Sequence, residues 1–123
     1  MSLEIAFKEK SPGVFIVSPI GYLDSETHGQ LENKIKFLLE SSPKMIIYDF
    51  EKLDYISSAG IRVMFVTEKE MKNCGGNVTY INFQPQIKKV FDIINALPSM
   101  RVFSNVRELD EYLDKMQKDV TDM

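Results

Sequence analysis

Hydrophobic and polar residues along this chain switch between a strand-like and a helix-like period. Leu3 to Phe7 and Val14 to Ser18 are short runs of β type, separated by the turn sequence Ser11-Pro12-Gly13. Leu31, Ile35, Leu38 and Leu39 then recur at helical spacing, which predicts a helix over about residues 25–40, stopped by Ser42-Pro43. Met45-Ile46-Ile47-Tyr48-Asp49-Phe50 reads as a buried strand. Ile61, Met64, Phe65 and, after a gap at Glu68, Met71 mark a helix over residues 58–73, closed by Gly75-Gly76. A strand at 78–81 follows, then a helix at 85–95 with Ile87, Val90, Phe91 and Ile94 on its inner face, then a short strand Arg101-Val102-Phe103. Val106, Leu109, Tyr112, Leu113 and Met116 stripe a terminal helix, with Ser104 or Asn105 as its cap. A front hairpin followed by alternating helices and strands defines an α/β sandwich, a mixed β-sheet with helices packed on it.

Size and composition narrow the picture. A chain of 123 residues, 44% hydrophobic and 27% charged, suits a single soluble domain with a real core. That core is expected over about residues 4–116, with 1–3 a candidate cloning remnant and the polar tail 118–123 frayed. No apolar run is long enough to span a membrane, and the N-terminus lacks a signal pattern, so a cytoplasmic setting without membrane contact is expected. The single Cys74 excludes an internal disulfide and a multi-cysteine metal site. A net charge of −3, with no basic cluster beyond Lys88-Lys89, argues against nucleic acid as a partner.

The chemistry concentrates in Ser57-Ser58-Ala59-Gly60, where hydroxyls and small residues stand at the entry to a predicted helix. A serine there has an ordinary role, accepting backbone N–H bonds as an N-cap. It has a second one as well: a phosphate on Ser58 would sit at the positive end of the helix dipole. From local pattern alone, capping is the commoner outcome for such a pair. Gly60 allows tight packing on the sheet or clears a path for a partner's backbone. Asp24 suits the N-terminal charge or cap of the first helix, His28 a half-buried place at its start, and Arg62 a solvated or partner-facing place beside Ser58. The scattered methionines read as core. Enzyme readings fare poorly. A serine hydrolase would need Gly-x-Ser-x-Gly and a histidine in reach, and the only His is His28. Asp49 at a strand end suggests a receiver-type phosphoacceptor, but the acidic pair needed to hold Mg²⁺ has no counterpart at Phe7-Lys8 or Ser18-Pro19. No catalytic residue, metal ligand or cofactor is therefore assigned.

Three segments resemble the STAS domain of anti-sigma factor antagonists, over about Ile5 to Leu113. Gly21-Tyr22-Leu23-Asp24 is similar to the family's Gly-x-Leu/Ile-Asp segment. Tyr55-Ile56-Ser57-Ser58-Ala59-Gly60-Ile61 resembles its Asp-Ser-Ser/Ala-Gly-Leu phosphorylation loop, with Ser57 standing where the family's Asp precedes the serine. Residues 86–93 followed by Leu97 resemble its late helix and bend. The resemblance implies a bacterial, non-enzymatic module that switches partners. Unphosphorylated, it would dock on an anti-sigma factor serine kinase through Gly21, Asp24, Ser57, Ser58, Ala59, Gly60 and Arg62, and release the kinase's sigma factor. Phosphorylation of Ser58, with Ser57 as second choice, would weaken docking, and a metal-dependent serine phosphatase would reverse it. Asp24 is implied to lie near Ser58 and accept its hydroxyl's hydrogen bond. Weak self-association is a further expectation. Two other readings stay open, a STAS scaffold subunit of a stressosome-like sensory assembly and a small-molecule-binding STAS module.

Overall fold

A computed structural model describes residues 2–94, 96–97 and 100–121. The elements in chain order are β1 (Leu3–Ser11), β2 (Val14–Leu23), α1 (His28–Leu39), β3 (Met45–Asp49), β4 (Leu53–Ile56), α2 (Ser58–Asn73), β5 (Asn77–Ile81), α3 (Pro85–Ile93), β6 (Arg101–Phe103) and α4 (Val106–Thr121). The expected front hairpin and alternating helices and strands are all present. Both hairpin strands run longer than their apolar cores, joined through Gly13 at φ 79°. Leu3, placed outside the core by the sequence reading, is buried within it. α4 continues to Thr121, past the point where fraying was expected. Asn95, the side chain of Met116 and the last two residues lie outside the described residues.

The six strands form one mixed sheet in the order β1-β2-β3-β5-β6, with β1 antiparallel to β2 and the other pairings parallel. β2 is long enough to serve two partners. Its first half pairs with β3 from Val14 to Val17, and its end pairs with β4 from Gly21 to Leu23. β4 is the one element absent from the sequence reading, which passes from the apolar run at Met45 to the helix at Ser58 as loop. Gln84 holds the connecting turn, donating from Nε2 to the carbonyls of Glu51 at 2.6 Å and Leu53 at 3.0 Å.

Side chains alternate between two unequal cores. On one face α1, α2 and α3 bury Leu31, Ile35, Leu38, Ile61, Met64, Met71, Ile87 and Phe91 against Val17, Ile46, Tyr48, Phe50 and Tyr80. On the other, α4 places Leu109 on Ile16, Met45, Ile47 and Ile81. Three residues expected on inner faces are exposed instead: Phe65, Ile94 and Tyr112. In α2 the inward positions are Val63 and Thr67 in addition to Ile61, Met64 and Met71, so the helix is rotated away from Phe65. Tyr112 lies against Phe103, with ring centroids 5.2 Å apart.

Candidate functional site

The C-terminal ends of β2 and β4 converge on the start of α2. Leu23 and Ile56 are paired across the two strands and both are buried. The Ser57 N–H donates to the Leu23 carbonyl at 2.9 Å, so the serine pair is anchored directly beside Asp24. Ser57 occupies the N-cap position in extended conformation, and its carbonyl accepts the Ile61 N–H at 3.0 Å.

The two hydroxyls sit in opposite environments. Ser58, the first residue of α2, is exposed. Ser57 Oγ is buried, caps no backbone N–H and has no hydrogen-bond partner. The capping role expected of the pair is therefore not the one Ser57 performs. Of the two, Ser58 is the exposed residue, at a helix end where unpaired N–H groups favour negative charge.

Asp24 keeps to the turn before α1 and does not reach Ser58. Its Oδ1 accepts the N–H of Glu26 at 2.9 Å and of Thr27 at 3.1 Å, and stands 3.2 Å from Thr27 Oγ1. The Glu26 N–H in particular holds the Asp24 carboxyl below its ordinary value. Thr27 Oγ1 accepts the Asp24 N–H in return at 2.9 Å. Asp24 is thus the cap of a closed turn leading into α1, and the hydrogen bond to Ser58 implied by the resemblance is not formed. The same turn delays α1 to His28, three residues after the expected start; His28 is half-buried and meets Glu32 at 2.9 Å.

Both candidate glycines serve close packing of the backbone. A Cβ at Gly60 would meet Leu23 Cγ at 2.7 Å and Ile56 Cγ1 at 2.8 Å, so its bare backbone lets α2 start close against the sheet. Gly21 has φ +103°, and a Cβ there would meet the Ser2 carbonyl at 2.7 Å. It stands at the irregularity where β2 takes up β4. Ala59 is half-buried, and Arg62 is exposed one turn after Ser58, with no ion pair among the described residues. Ser58, Arg62, Phe65 and Lys69 are all exposed at successive spacings of one helical turn, a continuous outward stripe.

Sequence reasoning missed an aromatic pair flanking the loop. Tyr22, two residues before Asp24, and Tyr55, two before Ser57, stack with ring centroids 5.7 Å apart and planes 29° from parallel. Tyr55 is 47% exposed. Their equal offset from Asp24 and Ser57 was the available signal. Only the pairing of β4 with β2 brings Tyr55 beside Tyr22, and β4 lacks the alternation that marks a strand in sequence. Asp49 is spent structurally, its Oδ1 accepting from Asn82 Nδ2 and Glu51 N–H, each at 3.0 Å. Among the described residues no group of three or more His, Cys, Asp or Glu side chains could hold a metal ion. No helix among them is long and apolar enough to cross a membrane.

The frame so described is a mixed six-stranded sheet with an exposed serine at the start of α2. The chain belongs to the STAS domain family, whose pattern matches residues 7–109. It is 30% identical over 100 residues to BtrV of Bordetella bronchiseptica, which carries the name of an anti-sigma factor antagonist; the match covers 81% of this chain and 85% of that protein. The fold is that of the anti-sigma factor antagonist SpoIIAA in its unphosphorylated form, with TM-score 0.71 at 19% identity over 93% of this chain and 98% of the other. It is equally that of Bacillus SpoIIAA in its phosphorylated form, with TM-score 0.70 at 21% identity over 89% and 99%.

Proposed function

We propose that this chain is an anti-sigma factor antagonist that switches partners through phosphorylation of Ser58. The observation that carries the reading is the contrast within the serine pair: Ser58 is exposed at the head of α2, and Ser57 Oγ is buried. Its kinship with a protein named as an anti-sigma factor antagonist, and its likeness in fold to SpoIIAA in both forms, support the same reading. The docking surface comprises Asp24, Ser58, Arg62 and the exposed stripe of α2, with Tyr22 and Tyr55 at its margin. Gly21, Gly60, Ala59 and Ser57 shape that surface from beneath.

The partner is an anti-sigma factor serine kinase, which brings Mg²⁺, nucleotide and the catalytic base. Ser58 Oγ attacks the γ-phosphorus of ATP, its proton passes to the kinase's base, and ADP leaves. The product carries about −1.5 to −2 charge at the centre of the docking surface. The helix dipole tolerates that charge, so the domain stays folded, while the Asp24 carboxylate beside Ser57 and the cost of burying an unpaired charge disfavour the complex. A metal-dependent serine phosphatase returns the binding form. A loss of ~3 kcal/mol lowers affinity roughly a hundredfold, enough to move a kinase between two competing clients.

The test is incubation with the anti-sigma kinase and ATP, followed by intact and tandem mass spectrometry. A single phosphate on Ser58, absent from Ser58→Ala, is the expected result. Binding isotherms should then show Ser58→Ala near wild type and Ser58→Asp weakened. If Ser58→Asp binds the kinase as tightly as wild type, the switch mechanism is wrong.

A further inference from the structure

The free edge of the sheet at β1 carries a pattern that fits itself. β1 is nine residues long and contains no proline, whereas β6 at the other edge has three residues. Long edge strands expose unpaired N–H and C=O groups and pair readily with another chain unless blocked. Which groups are free follows from the register. The Tyr22 N–H donates to the Ser2 carbonyl at 3.1 Å, and Pro19, which has no N–H, stands opposite Ile5. Hydrogen-bonded pairs alternate with non-hydrogen-bonded ones in an antiparallel ladder. Glu4, Ala6 and Lys8 therefore bond inward to β2, and Ile5 and Phe7 aim their backbone groups at the open edge.

We propose that β1 pairs antiparallel with β1 of a second copy, about a two-fold axis at Ala6. In that register Ile5 faces Phe7 of the other copy, which joins the outward-aimed backbone groups in hydrogen-bonded pairs. Glu4 faces Lys8 of the other copy, and each contact occurs twice by symmetry. The smallest side chain of the segment, Ala6, lies on the axis. The flanks are already committed within one chain: Glu9 accepts the Gly13 N–H at 3.1 Å and Lys10 meets Asp110 at 3.0 Å. Those contacts leave Lys8 as the strand's unengaged cation to meet Glu4. Phe7 is 42% exposed, with Lys34 Nζ 4.2 Å from its ring centroid, and would be covered by Ile5 of the second copy. Phe37 on α1, which shares a cleft of about 360 Å³ with Phe7, extends the apolar surface at this edge. The paired segment is short, so the dimer belongs with weak, concentration-dependent interfaces.

Sedimentation equilibrium over a concentration series tests the register. Wild type should show a monomer–dimer equilibrium, weakened by added salt. Lys8→Glu sets Glu4 against a glutamate twice per dimer and should raise the dissociation constant about tenfold or more. The double variant Glu4→Lys/Lys8→Glu restores opposite charges and should recover the wild-type value. Circular dichroism of each variant separates lost pairing from lost folding, and the double variant's recovery excludes simple misfolding. A wild type that stays monomeric throughout, a Lys8→Glu dimer of unchanged affinity, or a double variant that fails to recover overturns the proposal.

Discussion

Ser57 and Gly60 are the residues on which the geometry around Ser58 depends, and each makes a prediction of definite sign. A serine that caps a helix costs about 1 kcal/mol when changed to alanine. Ser57 Oγ instead is buried and unpartnered, a state that disfavours folding because its hydration is lost without replacement. Ser57→Ala should therefore leave the urea midpoint unchanged or raise it, and a fall of cap size would assign the hydroxyl a partner. Gly60 behaves oppositely. Its added methyl would fall within 2.8 Å of Leu23 and Ile56, both buried and wedged between sheet and helix. Gly60→Ala should cost about 1–3 kcal/mol by overpacking, measured as a lowered midpoint. A neutral outcome would mean that the start of α2 can lift from the sheet freely.

At the scale of elements, α2 is held in its rotation by a polar bond inside an apolar core. Tyr48 Oη on β3 lies 2.7 Å from Thr67 Oγ1, which donates in turn to the Val63 carbonyl at 2.6 Å. Burial pushes the Tyr48 hydroxyl well above its ordinary value, so it serves as a neutral donor to Thr67. Removing it with Tyr48→Phe should cost about 1 kcal/mol in chemical denaturation, the net worth of one neutral hydrogen bond. At the next residue along α2, burial raises the pKa of Glu68 beside the Tyr80 hydroxyl. The folded state then holds the Glu68 proton more tightly than the unfolded chain. That contribution is full below the ordinary glutamate value and is lost as pH rises through the raised one. Glu68→Gln should thus gain on wild type as denaturation midpoints are followed from acid toward neutral pH. A constant difference would show that Glu68 titrates normally.

These same elements explain what the sequence makes legible. The period of α2 was visible, and its ends at Ser58 and Asn73 match the reading. Its rotation was not, because Phe65 and Val63 are equally apolar and only Thr67, a polar residue turned inward to meet Tyr48, decides between them. β4 was hidden for a related reason. Leu53 and Ile56 are its buried residues, three apart rather than two, since β2 breaks register at Gly21–Tyr22 where β4 joins it. A strand without alternation is read as loop. Asp24 shows the limit at the site itself: its carboxylate was expected to reach across to Ser58, but the nearer Glu26 and Thr27 N–H groups claim it.

Across the whole molecule the sheet divides labour between its faces. Three helices cover the face that seats Ser58, and α4 alone covers the other, with Leu109 fully buried on Ile16, Met45, Ile47 and Ile81. Shortening a buried leucine to alanine costs about 2–5 kcal/mol, less where the site can collapse, and a single covering helix can settle inward. Leu109→Ala should fall at the low end of that range in thermal unfolding. Its amide exchange should rise in α4 and β6 and stay slow in α2 and β3, because local opening follows the smaller cluster. Below the unfolding transition, phosphorylation of Ser58 should proceed at the wild-type rate, since α2 and its seat on Leu23 and Ile56 belong to the other core. Equal acceleration of exchange in α2 and α4 would show that the two cores unfold as one, and that the surface around Ser58 depends on the far face of the sheet as much as on its own.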